Sequence, residues 1–146
     1  MSGERTQRAQ LIAPCGMDCG VCGAYLAYSN GVPRKRGAIL HCVGGRARGK
    51  QCAYLKDHCA AIKTGEVQFC YEWAEYPCER LRVLDSRYRK RYGMSLIENL
   101  DLIREASVQA LIERQQVRYG CAACGQLRSV HNGRCYVCET VTSWKT

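Results

Sequence analysis

Twelve cysteines in 146 residues constrain this chain more than any other feature of its sequence. They make up about 8% of the chain, at the edge of the range that is typical of scaffolds held together by disulfides or metal ions. Several of them lie in tight Cys-x-x-Cys pairs, which suit metal chelation better than long-range bridging. We therefore predict that most of the cysteines are metal ligands, with disulfides as the alternative.

The beginning of the chain bears on the cellular compartment. The N-terminus is mostly polar, and no apolar run behind it resembles a secretory signal. No segment is long and apolar enough to span a bilayer. We therefore expect a cytoplasmic protein with no membrane partner. Because structural disulfides are rare in that reducing compartment, this expectation also favours metal ligation.

The most specific motif lies near the C-terminus, where Cys121 and Cys124 form one Cys-x-x-Cys pair and Cys135 and Cys138 form another. Two such pairs on a β-hairpin place four sulfurs at the corners of a tetrahedron, which suits zinc. The His-Asn-Gly sequence at residues 131–133 supplies the reversal between the strands. We therefore predict a zinc ribbon whose histidine is a turn residue, since four thiols already fill the site. The alternative is a redox dithiol, for which one pair would suffice.

A second cluster contains Cys15, Cys19 and Cys22. Its spacing coincides with the iron–sulfur loop of radical S-adenosylmethionine enzymes. Those enzymes, however, need a large barrel domain that this chain does not resemble, and they usually have an aromatic residue where this chain has Val21. A zinc knuckle at Cys19 and Cys22 is the preferred interpretation. The alternative is a metalloenzyme or an iron–sulfur redox protein that uses all three cysteines, with Asp18 as a nearby base.

Five more cysteines complete the candidate ligands. They are Cys42, Cys52, Cys59, Cys70 and Cys78. With the N-terminal three they number eight, enough for two further quartets, so we predict two or three zinc ions. On a helix, Cys52 and Cys59 would lie about 10.5 Å apart along the axis, whereas sulfurs around one zinc ion lie about 4 Å apart. These two therefore serve different ions, or one is a buried thiol.

Periodic apolar residues and cap signals predict four helices. A short one lies around residues 24–28, a second covers residues 51–64, and a third covers residues 78–92 with Leu81, Leu84, Tyr88 and Tyr92 on one side. The fourth begins at a Ser-x-x-Glu capping box, runs over residues 95–118, and buries an apolar face. That face consists of Leu96, Leu100, Ile103, Ala110 and Leu111.

These elements predict a small, mainly α, metal-stapled fold. Residues 1–94 form an irregular cysteine-rich helical domain, and residues 95–118 form a connecting helix packed on it. Residues 119–146 form the β-hairpin zinc ribbon.

The middle of the chain resembles a known family. The segments APCGMDCGVCGAYLA, HCVGG, CAAIKTGEVQFC and CYEWAEYPCERL are similar to cysteine-rich proteins of domain of unknown function 3795, over about residues 13–92. The resemblance implies a zinc-binding, prokaryotic, cytosolic protein and implies no activity. The family commonly has cysteines where this chain has Gly45 and Trp73, which would pair with Cys42 and Cys70. The resemblance therefore implies that one family site is lost or rebuilt here, and whether Cys42 and Cys70 are ligands stays open.

The formal charge of +9 at first suggests a nucleic-acid partner. Each four-cysteine zinc site carries a net charge of −2, so three such sites would lower +9 by six, to +3. The basic candidates are the loop Arg34–Lys50 and the helical stretch Arg87–Tyr92. Helical spacing favours tyrosines that pack inward over tyrosines that stack on bases.

The sequence contains no nucleophile elbow, phosphate loop, HExxH or dinucleotide fingerprint, so binding is favoured over catalysis. We therefore expect a zinc-binding interaction module. Its partner is a macromolecule, either a protein or a weakly bound nucleic acid.

Overall fold

The computed structural model describes residues 8–34, 39–44, 68–72 and 76–141. Its helices are α1 (Gly23–Ser29), α2 (Glu79–Tyr92), α3 (Leu96–Glu105) and α4 (Val108–Tyr119). Residues 8–10 are also helical, and 3₁₀ turns occur at Cys19–Val21 and Cys70–Glu72. The mainly helical fold is confirmed, and the described ranges contain no strand. None of the described helices is long and apolar enough to cross a membrane.

Helices α1 and α2 occur where the sequence predicts them. Leu81 and Leu84 of α2 are buried, and the helix ends at Gly93, whose φ of 66° is left-handed. Glycine adopts this conformation at little cost and is therefore the usual residue after a helix. The predicted helix over residues 51–64 lies outside the described residues.

The predicted single helix over residues 95–118 is wrong, because α3 and α4 are separate helices. Ser95 caps α3 by accepting a hydrogen bond from the Glu98 amide (3.1 Å). At Ala106 the backbone leaves helical geometry, and Ser107 caps α4 by accepting from the Ala110 amide (3.0 Å). A serine hydroxyl at this position replaces the missing helical partner of a first-turn amide, so it starts a new helix. The break lets α3 and α4 pack against each other.

The main core joins residues 8–22, which we call the N-terminal segment, to α2, α3 and α4. Its fully buried members include Ile12, Val21, Leu81, Leu96, Leu100 and Leu111. Full burial of one such side chain contributes about 1.5–3 kcal/mol, so this cluster stabilises the helical part of the fold. Of the predicted face of residues 95–118, only Ala110 is half-buried rather than buried.

A second apolar cluster surrounds α1. It consists of Leu26, Ala27, Val32, Ile39, Tyr136 and Val141. Val130 belongs to the main core, and its amide donates to the Val21 carbonyl (2.7 Å). Residues 120–141, which we call the C-terminal segment, therefore contribute to both clusters, so packing contacts cross the predicted domain boundary at residue 119.

Two buried carboxylates, those of Asp18 and Asp85, hold neighbouring segments of the helical fold together. Asp18 is fully buried, and its carboxylate accepts hydrogen bonds from both terminal nitrogens of Arg8 (2.7 and 2.6 Å). It also accepts from the Gly20 amide (2.9 Å) and the Gln115 side chain (3.3 Å). Four donors offset the cost of burying this charge, as a buried carboxylate requires. They also tie the N-terminal segment to α4.

The second buried carboxylate, that of Asp85, joins α2 to α3. It accepts from the Ser95 hydroxyl (2.8 Å), the Ile97 amide (3.0 Å) and Arg89 (2.9 Å).

The N-terminal segment also passes close to α3 at Gly16, whose φ is +88°. A Cβ there would lie 2.4 Å from the Leu96 carbonyl oxygen.

Candidate metal centre

Four cysteines of the C-terminal segment meet at one point. The sulfurs of Cys121, Cys124, Cys135 and Cys138 all lie within 4.8 Å of one another. The Cys121 and Cys138 sulfurs are 3.9 Å apart, and those of Cys124 and Cys135 are 3.5 Å apart. With Zn–S bonds of about 2.3 Å, tetrahedral sulfurs lie about 3.8 Å apart. The four side chains therefore fit one tetrahedral ion.

A closed turn positions the first pair of sulfurs directly after α4. The Cys121 amide donates to the Gln126 carbonyl (2.7 Å), and the Gly125 amide donates to the Cys121 carbonyl (2.8 Å). Gly125 has a φ of 79°, which glycine adopts without strain. An isolated antiparallel bridge between Gly120 and Leu127 closes the base of this turn.

A second closed turn positions the other pair. The Gly133 amide donates to the Ser129 carbonyl (2.8 Å), and the Ser129 amide donates to the Arg134 carbonyl (2.9 Å). The reversal predicted at residues 131–133 is therefore present. Within residues 120–141, however, the structure contains an isolated bridge and no strand, so it does not show the predicted β-hairpin.

Backbone amides and neighbouring thiols set the electrostatics of this centre. Hydrogen bonds from the Cys124 and Ala123 amides lower the pKa of Cys121 to about 7. The pKa of Cys138 is raised to about 12, mainly by hydrogen bonds with the Cys124 and Cys135 thiols. The Cys121 thiolate is therefore accessible near neutral pH, whereas the Cys138 thiolate is not. A divalent cation favours the thiolate form of its cysteine ligands, so binding of an ion would release their protons.

The centre is open to solvent on one side. Cys124 and Cys138 are exposed, Cys121 is half-buried, and Cys135 is buried. An ion can therefore reach the sulfurs without opening the core. The backbone of Cys135 is fixed by its amide, which donates to the Glu139 carboxylate (3.0 Å).

The other predicted ligands are not gathered in this way. In the part of the chain that the structure describes, the C-terminal quartet is the only group of three or more His, Cys, Asp or Glu ligand atoms this close together. Cys15 and Cys19 are buried in the main core, and Cys22 is half-buried beside them. Whether these three bind a metal ion stays a prediction.

Cys22 and Cys42 lie near each other around α1. Cys22 precedes the helix, and the Cys42 amide donates to the Ala24 carbonyl (3.1 Å). Burial raises the pKa of Cys22, the Tyr25 and Ala24 amides oppose that rise, and Cys42 adds to it. The Gly44 amide points at the Cys42 sulfur (3.4 Å). Backbone amides therefore contact both sulfurs.

The remaining cysteines are dispersed or outside the described residues. Cys70 is buried, with its amide on the Pro14 carbonyl (2.9 Å), and Cys78 is half-buried at the start of α2. Cys52 and Cys59 lie outside the described residues, as do Gly45 and Trp73, so the grouping of the first eight cysteines is not tested. None of the ten described cysteines forms a disulfide.

Asp18 does not occupy the position of a catalytic base. Its carboxylate is fully buried and engaged with Arg8, Gly20 and Gln115. A general base needs a lone pair that can reach a substrate proton. The geometry thus gives the metalloenzyme alternative no support from this residue.

His131 is more than a turn residue. Its Nδ1 accepts a hydrogen bond from the Gly23 amide (3.1 Å), and its Nε2 lies 3.0 Å from the Tyr88 hydroxyl. The ring also packs edge-on against Tyr88 and Tyr92, with centroid distances of 5.8 and 4.9 Å. His131 thereby fastens the C-terminal segment to both α1 and α2. The inward-facing tyrosines were predictable from helical spacing, whereas this long-range contact was not.

Comparison with known proteins gives one finding. A family model described as "Protein of unknown function (DUF3795)" matches residues 11–83, which is half of the chain and stops short of the quartet at residues 121–138. No curated protein and no solved structure matches the chain. The match covers the N-terminal cysteine cluster and the segment leading into α2, where the sequence motifs of the resemblance lie. The chain belongs to the DUF3795 family.

Proposed function

We propose that this protein is a zinc-binding interaction module in which Cys121, Cys124, Cys135 and Cys138 hold a structural ion. The observation that carries the proposal is the convergence of four sulfurs within 4.8 Å. A tetrahedral all-thiolate site suits zinc or an iron–sulfur centre. Four protein ligands leave no position open for water, so the ion has a structural and not a catalytic role.

The contacts of the C-terminal segment explain what such an ion stabilises. Between its two cysteine pairs, this segment places Val130 in the main core and His131 against Tyr88. Tyr136 packs around α1, between the ligands Cys135 and Cys138. A bound ion fixes both cysteine pairs, and coordination energy therefore becomes folding energy for these contacts. The result is a rigid surface that includes α1, α2 and the C-terminal segment.

The number of ions follows from which cysteines converge. The described residues provide one complete quartet. A second ion at Cys22 and Cys42 would need other ligands, for which either Cys52 or Cys59, but not both, is a candidate from the sequence. We expect the protein to be cytoplasmic, where its thiols remain reduced.

Metal analysis of protein purified without added metal tests this proposal. Zinc should be present, and the paired substitution C124S/C138S should remove one equivalent, because both sulfurs belong to the quartet. Both side chains are exposed, so their replacement leaves the core intact. The matched variant C22S/C42S should retain that equivalent. If C22S/C42S loses a different equivalent of zinc, a second ion binds beside α1.

The alternative cofactor is distinguishable in the same sample. An iron–sulfur centre is brown and contains acid-labile sulfide, whereas a zinc–thiolate centre is colourless. If the protein contains more iron than zinc and C124S/C138S removes that iron, the quartet binds iron and not zinc. Full occupancy of zinc in C124S/C138S would contradict the site itself.

A further inference from the structure

Two short sulfur–sulfur distances in the metal centre join one Cys-x-x-Cys pair to the other. The Cys124 and Cys135 sulfurs are 3.5 Å apart, and the Cys121 and Cys138 sulfurs are 3.9 Å apart. A disulfide bond is about 2.0 Å long, so the two contacts would shorten by only about 1.5 and 1.9 Å to become bonds. The arrangement that suits a tetrahedral ion therefore also brings the thiols close to disulfide geometry.

Each of these contacts combines an accessible cysteine with a less accessible one. Cys124 and Cys138 are exposed, whereas Cys121 is half-buried and Cys135 is only 2% exposed. A bound ion keeps all four sulfurs as thiolates. Oxidation of a cysteine follows its thiolate character and its exposure. The exposed sulfur of each contact is thus the one that an oxidant reaches first, and its partner lies close enough to complete a disulfide.

The cysteines of the main core lack this access. Cys15, Cys19 and Cys70 are between 1% and 8% exposed and lie among apolar side chains. A buried cysteine in such surroundings is inert to oxidants dissolved in water. Among the ten cysteines that the structure describes, the two exposed ones both belong to the quartet. Oxidation should therefore begin there.

We propose that the quartet is a site of reversible oxidation by peroxide, which links Cys124 to Cys135 and Cys121 to Cys138 and releases the bound ion. This inference rests on the proposed function, because the ion is what maintains four thiolates at one point. The tetrathiolate zinc centre carries a charge of −2, whereas two disulfides carry none. Oxidation thus changes the charge of the C-terminal segment as well as its metal content.

The chemistry of each link is balanced by one molecule of hydrogen peroxide. The exposed thiolate attacks one peroxide oxygen, which breaks the O–O bond, forms a sulfenic acid and releases hydroxide. The partner thiolate then attacks the sulfenic sulfur, which forms the S–S bond and releases a second hydroxide. Two sulfurs together lose two electrons, the peroxide gains them, and two protons from water or buffer convert both hydroxides to water. The zinc ion leaves without a change of oxidation state.

The proposed links would replace the restraint that the ion provides. Both of them join the two closed turns, as the ion does, and they span 11 and 17 positions in the chain. Such cross-links restrict the unfolded chain and so favour the packed segment. Val130 and Tyr136 should therefore keep their places in the two apolar clusters after the ion has left. Reduced protein without metal has neither restraint.

The test treats zinc-loaded full-length protein with hydrogen peroxide in the presence of a chromogenic chelator. One equivalent of zinc should be released, because the two links remove all four thiolate ligands. The variant C124S/C138S gives the background, since it lacks this equivalent from the start. Zinc that stays bound after prolonged treatment would overturn the proposal.

Digestion with trypsin identifies the links. Trypsin cuts after lysine and arginine, so it places the first cysteine pair on residues 119–128 and the second on residues 135–145. After the remaining thiols are alkylated, the two peptides should be recovered as one joined product that reductant separates. Fragmentation between Cys121 and Cys124 should assign Cys124 to Cys135. Disulfides within each pair would leave the peptides separate and refute the pairing, as would a link from Cys121 to Cys135.

The same digest contains a control for access, because Cys15 and Cys19 lie on the peptide of residues 9–34. When half of the quartet is oxidised, these two thiols should still be available for alkylation. We expect them to react at least about tenfold more slowly, since burial protects them. Equal rates would show that the quartet is not a selective site and would overturn the inference.

Near-UV circular dichroism tests whether the segment stays packed. Oxidised protein without zinc should keep most of the signal of the zinc-loaded form, whereas protein stripped of metal under reducing conditions should lose it. A thiol reductant and zinc together should then restore the released equivalent, because disulfides are reversed by thiol exchange. Oxidation to sulfinic acid, which a thiol reductant does not reverse, would refute a reversible site.

The outcomes separate this inference from the proposed function. Protein whose quartet holds no metal ion as purified would refute the proposed function. Protein that holds zinc there but forms no link with peroxide would refute the oxidation site alone.

Discussion

The Tyr88 hydroxyl lies 3.0 Å from Nε2 of His131, although the two residues are 43 positions apart in the chain. Since Nδ1 of the same ring accepts from the Gly23 amide, the proton of a neutral ring stands on Nε2 and is donated to the tyrosine. One imidazole thus joins α1, α2 and the turn between the two cysteine pairs.

The first prediction concerns the energy of this contact. Y88F removes the hydroxyl and should cost about 1 kcal/mol of unfolding free energy, the usual value for a buried hydrogen bond. H131A should cost more, because it also removes the ring packing. In a double-mutant cycle the two changes should couple by about 0.5–1.5 kcal/mol, since they remove a shared interaction. Urea unfolding of zinc-loaded protein measures this, with Y28F as a control on an exposed tyrosine. Additive effects would show that the two groups do not interact in solution.

The second prediction concerns pH. Burial lowers the pKa of His131 from its ordinary 6.5. The folded state then binds fewer protons than the unfolded state, so the contribution is complete above about pH 6.5 and is lost as pH falls toward the folded-state pKa. H131Q should therefore show a weaker fall in stability than the parent between pH 7.5 and 5.5. Protonation of the cysteine centre affects both proteins alike and cancels in the difference. Parallel pH profiles would contradict this role.

The third prediction concerns the metal centre. C124S/C138S should lower the thermal midpoint by roughly 10 °C or more, because structural zinc contributes several kcal/mol to folding. The far-UV helical signal should largely survive, since α2, α3 and α4 bury their apolar faces against one another and the N-terminal segment. Near-UV circular dichroism should fall as Tyr136 loses its fixed position. Complete loss of helix would mean that α2, α3 and α4 cannot hold together without the C-terminal segment.

The fourth prediction concerns Gly16. Alanine there combines a φ of +88° with a Cβ 2.4 Å from the Leu96 carbonyl oxygen. We expect G16A to cost about 3 kcal/mol or more, the sum of left-handed strain and overpacking. G93A is the matched control, because Gly93 has a φ of +66° with nothing within 4 Å of the added carbon. Its cost should be about 1–2 kcal/mol. Equal midpoints in chemical denaturation would refute the close approach of the N-terminal segment to α3.

Local patterns predict some parts of this molecule well. Helix α2 follows from apolar spacing and the Ser95 cap from a single hydroxyl. The quartet follows from two Cys-x-x-Cys pairs with ten residues between them. The break at Ser107 does not stand out, because apolar residues continue at helical spacing from Ile103 to Leu111 across it. Deciding between a cap and a continuing helix there depends on tertiary packing, which spacing does not report.

The long-range contacts were beyond sequence reasoning for a similar reason. No local pattern pairs His131 with Gly23, 108 residues away. Cysteine spacing alone also does not separate Cys15 and Cys19, which are buried among apolar side chains, from the converging Cys121 and Cys124. A thiol serves equally as a small apolar residue and as a ligand. Their burial in the core is therefore a property of the fold rather than of the motif.

The cluster around α1 has a consequence for synthesis on the ribosome. Leu26, Val32 and Ile39 pack against Tyr136 and Val141, about a hundred residues later in the chain. Chains grow at about 5–20 residues per second, so these side chains stay uncovered for several seconds while the intervening residues are made. The α1 region thus completes its packing only after residues 136–141 have left the exit tunnel, at the same stage at which the second cysteine pair becomes available to metal.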